Sequence, residues 1–157
     1  MSVSLSTLKL GGVLKKFRDF SIETFEDRLI LQKRIYLIQA FGLYLGYNFS
    51  WYIHGPYSPD LTRDAYKLDA IYELVPELKF EKSKYNSTFE KYIEFLDDRS
   101  DDGDWLEQLA CTHFLKQIYP DKHREEIIQL VLEHEEHFNR RQCEDAYGYL
   151  VEWGLIE

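Results

Sequence analysis

"FEDRLILQKRIYLIQAFGLYLG", residues 25–46, decides how the rest of this chain has to fold. Leu29, Ile30, Lys33, Leu37, Ala40, Phe41 and Tyr44 follow one helical row, broken by a single lysine. Leu31, Ile35, Ile38 and Leu45 make a second apolar face, and only a narrow polar stripe of Arg28, Gln32 and Gln39 remains. A helix that is apolar on two faces must be covered on both, so it is expected at the centre with other helices wrapped around it. Gly46, free to adopt left-handed backbone, is its expected stop.

Working outward, Leu5, Leu8, Val13, Leu14 and Phe17 recur at roughly helical spacing and suggest a first helix over 4–19, weakened by the glycine pair at 11–12. After the central helix, "NFSWYI" (48–53) reads as a short strand or extended arm, and "GPYSP" (55–59) as a loop. Ser58 then caps a helix that starts with Pro59 and runs to about residue 73, with Leu61, Ala65, Leu68 and Tyr72 inward. Residues 75–87 read as an irregular connection, and a helix over 87–97 follows. Asp104 and Glu107 resemble a capping box for a helix over 105–119. Pro120 breaks that helix, another spans 122–138, and the last turns Ala146, Tyr147, Leu150 and Val151 to one side. The expectation is a mainly α, single-domain helical bundle over 1–157, of about seven helices, with a short strand or extended arm and a winged-helix-like C-terminal part.

At 157 residues the chain is long enough for one sizeable core, and 45% hydrophobic with 30% charged residues is ordinary for a globular protein. Aromatics reach 16%, so much of that core must be aromatic. No apolar run is long enough to span a bilayer, and the opening residues lack a charged region followed by an apolar one, so neither a membrane anchor nor a signal peptide is expected. Cys111 and Cys143 are too few for a disulfide framework, and a reducing cytoplasm is the expected location. A net charge of −9 opposes general nucleic-acid binding, because phosphate contacts would form against the protein's own field. It favours a basic or neutral partner.

Site motifs are few. "DDRSDDGD" (97–104) places Asp98, Ser100, Asp102 and Asp104 at calcium-loop spacing, but the position that needs a bidentate glutamate is Leu109. In "EHEEHF" (133–138), His134 and His137 stand three apart rather than four, no third ligand is indicated, and an exposed charged helix face is expected. Neither a nucleophile elbow nor a phosphate-cradling glycine loop is present, so no enzyme activity and no cofactor are expected. A hydrolase built on His54 has no carboxylate partner within sight of the sequence. A winged-helix-like DNA-binding regulator is the alternative reading. It requires a basic face assembled from Lys15, Lys16, Arg18, Lys33, Arg34, Arg140 and Arg141.

"YIHGPYS" (52–58) is the remaining candidate. Together with the central helix it carries an "LQK…YL…G…HGPYS…L" pattern that resembles a group of small bacterial and archaeal proteins, similar in turn to the Panacea antitoxin domain. The match covers roughly residues 25–72. Gln32, Lys33 and Tyr36 correspond to the helix motif, and Trp51, Gly55 and Pro56 to the turn; Arg34 and Tyr57-Ser58 depart from the Panacea pattern. The resemblance implies an α-rich fold with the Gly-Pro turn against the long helix, and a non-enzymatic protein-interaction module that neutralises a toxin. The binding residues expected on this reading are Gln32, Lys33, Tyr36, Trp51, Tyr52, His54, Gly55, Pro56, Tyr57 and Ser58, with Tyr52 and Tyr57 as aromatic anchors, a protein partner, no membrane, and homo-oligomerisation left open. Turn and cap geometry alone also accounts for Gly55, Pro56 and Ser58, and core packing for Trp51, Tyr52 and Tyr57. His54 is expected either to bond Gln32 or Gln39, or to face a partner.

Overall fold

The helix expected at the centre begins where Thr24 accepts the Asp27 amide and the Asp27 carboxylate returns the bond to the Thr24 amide. In the computed structural model, which describes residues 4–17, 20–77, 79 and 83–157, this is α2 (Phe25–Ala40). The helix stops one turn earlier than Gly46. Gly42, at φ +109°, takes the left-handed position, and the Gly42 and Leu43 amides close back on the Gln39 and Ile38 carbonyls. Leu43 is buried by that closure while Tyr44, expected inward, is exposed.

The other helices are α1 (Leu5–Leu14), α3 (Pro59–Asp69), α4 (Ser83–Leu96), α5 (Gly103–Ile118), α6 (Arg124–His134) and α7 (Arg140–Glu152), with a 3₁₀ turn at Tyr72–Leu74, and α5 rather than α2 takes the central place. The expected mainly α architecture is the observed one. Strands β1 (Ser50–Tyr52) and β2 (Gly55–Tyr57) form an antiparallel hairpin, so "GPY" is a strand rather than a loop. α2 packs most heavily on α5, and α5 in turn on α6 and α7, which also pack on each other. One cluster of buried side chains runs from Leu10 to Ile156. Its aromatic part sits where Phe41, Phe95, Tyr149 and Trp153 meet edge to face or tilted. Among the described residues no helix is long and apolar enough to cross a membrane.

Several boundaries move for local reasons. The first helix ends at Leu14, and Leu5 and Leu8 point outward while Leu10, Val13 and Leu14 go in. Asp102, not Asp104, caps α5 by accepting the Trp105 amide, which releases Glu107 to turn into the protein. α6 stops at His134, and Asn139 with Gln142 starts α7 through a capping box. Cys143 takes the inward place expected of Val151, which is exposed.

The glycine pair has a packing explanation at Gly11. A Cβ there would lie 2.6 Å from Leu68 Cδ1 and 2.9 Å from Val75 Cγ1, so α1 approaches α3 at glycine distance. We predict that Gly11→Ala destabilises the protein by about 1–3 kcal/mol in urea unfolding, overpacking outweighing the better helix propensity.

A second test comes from His113 on α5, whose Nδ1 lies 2.6 Å from the Tyr36 hydroxyl in the core. Burial pulls the imidazole from 6.5 to about 4 and raises the Tyr36 phenol, so the bond joins a neutral imidazole and a neutral phenol. Between those values the unfolded chain binds a proton that the folded one refuses, so stability rises with pH across this window. Acidifying from 6.5 to 4 should remove up to about 3 kcal/mol through this group. Urea titrations should show that His113→Gln flattens the slope relative to wild type.

Candidate functional site

Gln32 and Lys33 occupy successive positions on α2, and both point at the backbone that follows the hairpin turn. Gln32 donates through Nε2 to the Ser58 carbonyl and accepts the Ser58 amide through Oε1, each at 2.9 Å, and also donates to Thr62 Oγ1. Lys33, 2% exposed, donates to the Pro56 carbonyl at 2.7 Å. Ser58 accepts the Leu61 amide and so caps α3, with Pro59 in the first turn as expected. The "LQK" and "GPYS" elements of the sequence are thus one interlock.

Gly55 completes it. Its φ of +91° lies in the left-handed region, and a Cβ there would collide with Cys111 Sγ on α5. β2 is therefore held between α2 and α5, with Pro56 and Ser58 buried. Tyr36 is buried too, bonded to His113. Trp51 is half-buried against Phe114 and His134. Tyr57 is half-buried; its hydroxyl accepts from Thr62 and its ring lies 5.3 Å from Tyr52, which is exposed. Of the ten residues expected to bind, Tyr52, His54 and Tyr57 reach a surface groove, with Gln32, Lys33 and Gly55 in its lining.

That groove, of about 390 Å³, lies between the hairpin and the starts of α2 and α3. Phe25, Leu29, Ile53 and Tyr66 give it an apolar wall. His54 bonds neither Gln32 nor Gln39. Gln32 is engaged with Ser58, and Gln39 with the 45–47 backbone. Instead His54 Nδ1 lies 3.4 Å from Oε1 of Glu107, and its ring meets Phe25 edge to face.

Behind His54 is a polar cluster that the sequence reading missed. Glu107 and Glu135 are 1% and 3% exposed. His137 Nε2 lies 2.7 Å from Glu107 Oε2, and its Nδ1 lies 3.8 Å from Glu135 Oε2. Burial raises both glutamates, opposed at Glu107 by the His137 bond and reinforced at Glu135 by Glu107 itself. Burial likewise lowers Lys33, while the two carboxylates pull it back up. Burial and then Glu135 raise the Cys111 thiol, which donates to Glu135 Oε1 at 3.7 Å. The stretch 133–138 is therefore not simply an exposed charged face, and His54 does have a carboxylate beside it.

Glu107 was assigned to a cap, and Glu135 lies just past the end of α6, so neither spacing suggested a pair. The one available signal was that Glu107 and Cys111 share a face of a helix buried nearly all round.

Of the seven basic residues named for DNA reading, Lys33, Arg34, Arg140 and Arg141 have partners within the protein. Lys33 is buried, Arg34 donates to the Ser100 carbonyl, and Arg18 is outside the described residues. Arg140 pairs with Glu125 and Glu144, and Arg141 with Asp145. In the acidic loop, Asp102 is spent on its cap and on Arg99. The chain matches no family model, no curated protein and no solved structure.

Removing the interlock should be costly. Gln32→Leu leaves the buried Ser58 amide unpaired and takes one of two donors from the Ser58 carbonyl, which keeps the Thr62 amide, and is expected to lower stability by about 1–3 kcal/mol in chemical denaturation. A loss below about 1 kcal/mol would mean that the hairpin is held by packing alone.

Proposed function

We propose that the protein is a cytoplasmic, non-enzymatic interaction module that captures a segment of a partner protein in the groove between the hairpin and α2. One observation carries the reading: Phe25, Tyr52, Ile53 and Tyr66, exposed by 56, 58, 68 and 53%, all line that single groove. Exposed large apolar side chains gathered around one concavity are the usual anchor-accepting surface of an interaction site. The resemblance of residues 25–72 to Panacea-type domains points the same way, toward an antitoxin or defence role with a toxin as partner.

The lining also bears on the chemistry of the occupant. Net charge alone favours a basic or neutral partner. Yet apart from its tyrosines the groove's ionisable groups are Arg28, Lys33 and His54, with no carboxylate among the lining residues. An inserted apolar side chain with an acidic neighbour in sequence complements that surface. Tyr52 and Ile53 serve as the presented contacts. Tyr57, tied to Thr62, braces them from behind.

Random-peptide display against the wild type is expected to enrich an aromatic or large aliphatic residue beside Asp or Glu. Ile53→Asp and Tyr52→Ala, both at exposed positions, should keep their helical circular dichroism and lose at least about tenfold in affinity for the enriched peptides, a cost typical of a binding anchor. Absence of a consensus, or equal binding by the variants, would refute the docking role.

A further inference from the structure

We infer that His54, Glu107 and Glu135 form a site for one divalent first-row transition-metal ion, with His137 positioning the Glu107 carboxylate. This site shares only His54 with the docking groove and goes beyond that reading. The three residues come from the hairpin turn, α5 and the end of α6, and only the fold brings them together. One donor atom from each, an imidazole nitrogen and two carboxylate oxygens, lie within 4.8 Å of one another. Ligands around a tetrahedral ion with bonds near 2.1 Å stand about 3.4 Å apart. His54 Nδ1 and Glu107 Oε1 are 3.4 Å apart already. The half-exposed His54 is the ligand free to adjust.

Two features point to a cation rather than to mere crowding. Glu107 Oε1 is fully buried and makes no hydrogen bond among the described residues, while its twin Oε2 is held by His137. A buried carboxylate oxygen left unbonded is costly, and a metal ion is one of the few groups that satisfies it. The charge count agrees. Two buried carboxylates face one buried ammonium, Lys33, whose Nζ donates to the Pro56 carbonyl, and the half-exposed imidazoles of His54 and His137. Lys33 alone does not balance two negative charges at low dielectric.

The arrangement resembles a working metal centre in two further respects. His137 bonds the oxygen of Glu107 that faces away from His54, as outer partners do when they orient a ligating carboxylate. Three protein ligands leave a coordination position open, and His54 also lines the groove, so that position faces the route of entry. Two carboxylates and one imidazole suit Zn²⁺ or Mn²⁺ better than a thiophilic ion. Cys111 Sγ lies 3.7 Å from Glu135 Oε1 but does not belong to the set of converging donor atoms.

Chelator-treated protein titrated with ZnCl₂ and with MnCl₂ in a calorimeter should bind one ion per chain and melt at a higher temperature when loaded. Cobalt loading should give visible ligand-field absorption. His54→Ala, at a half-exposed position outside the core, should weaken binding at least about 100-fold and abolish that absorption. His137→Ala should weaken it about 10- to 100-fold. His134→Ala, three residues from His137 but outside the set, should leave it unchanged. Lack of saturable binding by the wild type, or wild-type affinity in His54→Ala, would overturn the site and leave a proton shared between the glutamates as the balancing charge. Loss of binding in His134→Ala would place the ion on the surface instead. Glu107→Gln adds a fourth check where it folds, and His54→Ala decides where it does not. Peptide capture reads Tyr52 and Ile53, which are not ligands, so either conclusion can fail without the other.

Discussion

Gln32 and Lys33 carry a task that secondary structure cannot perform. The backbone of residues 56–58 leaves its hairpin and enters α3 while buried between two helices, where water cannot satisfy its polar groups. The Gln32 amide reproduces a backbone partner, giving one donor and one acceptor to Ser58, and Lys33 supplies the donor for Pro56. Because Ser58 is also the cap of α3, the same contacts set where α3 starts. Because Pro56 and Gly55 lie against α5, they also set how closely α5 approaches α2. The groove follows from those constraints, since its walls are α2, the hairpin and α3.

Placing a lysine in that interior has electrostatic consequences. An isolated ammonium at 2% exposure would lose its proton or destabilise the fold, and the Glu107 and Glu135 carboxylates oppose that loss. Burial raises both of them, Glu107 raises Glu135 further, and His137 opposes the shift at each. The interior beneath the turn is therefore a small array of charges, with one imidazole, His54, reaching from it to the groove. Recognition at the surface and charge balance beneath it meet at that residue, which is why a corner explained at first by turn geometry alone has functional consequences.

How far this was visible beforehand depends on the range of the interaction involved. The existence of α2, the Ser58-Pro59 start of α3, the break at Pro120 and the mainly helical architecture follow from contacts within a few residues, which periodicity and capping chemistry report. The central place expected of α2 is instead held by α5. Gln32, Lys33, Gly55, Pro56 and Ser58 stood out as a pattern, although their partnership lay in space. Glu107 was misplaced because Asp104 offered a plausible local cap, and Asp102 was the better one. The glycine pair lowered the expectation for the first helix because its benefit, close approach to Leu68 and Val75, is tertiary.

By itself, then, the order of residues determined the helical architecture and the Ser58-Pro59 start of α3, because those depend on spacing and local hydrogen bonds, while several caps and inward faces were settled by packing. Only the tertiary structure decided that "GPY" is a strand, that Gln32 and Lys33 serve its backbone, and that His54, Glu107 and Glu135 converge. Residues separated by 53 and 28 positions acquire a common environment only after α5 and the end of α6 have packed against the hairpin. The reason is physical: desolvation and charge pairing act through space, and they have no signature in a chain whose long-range contacts have not yet formed.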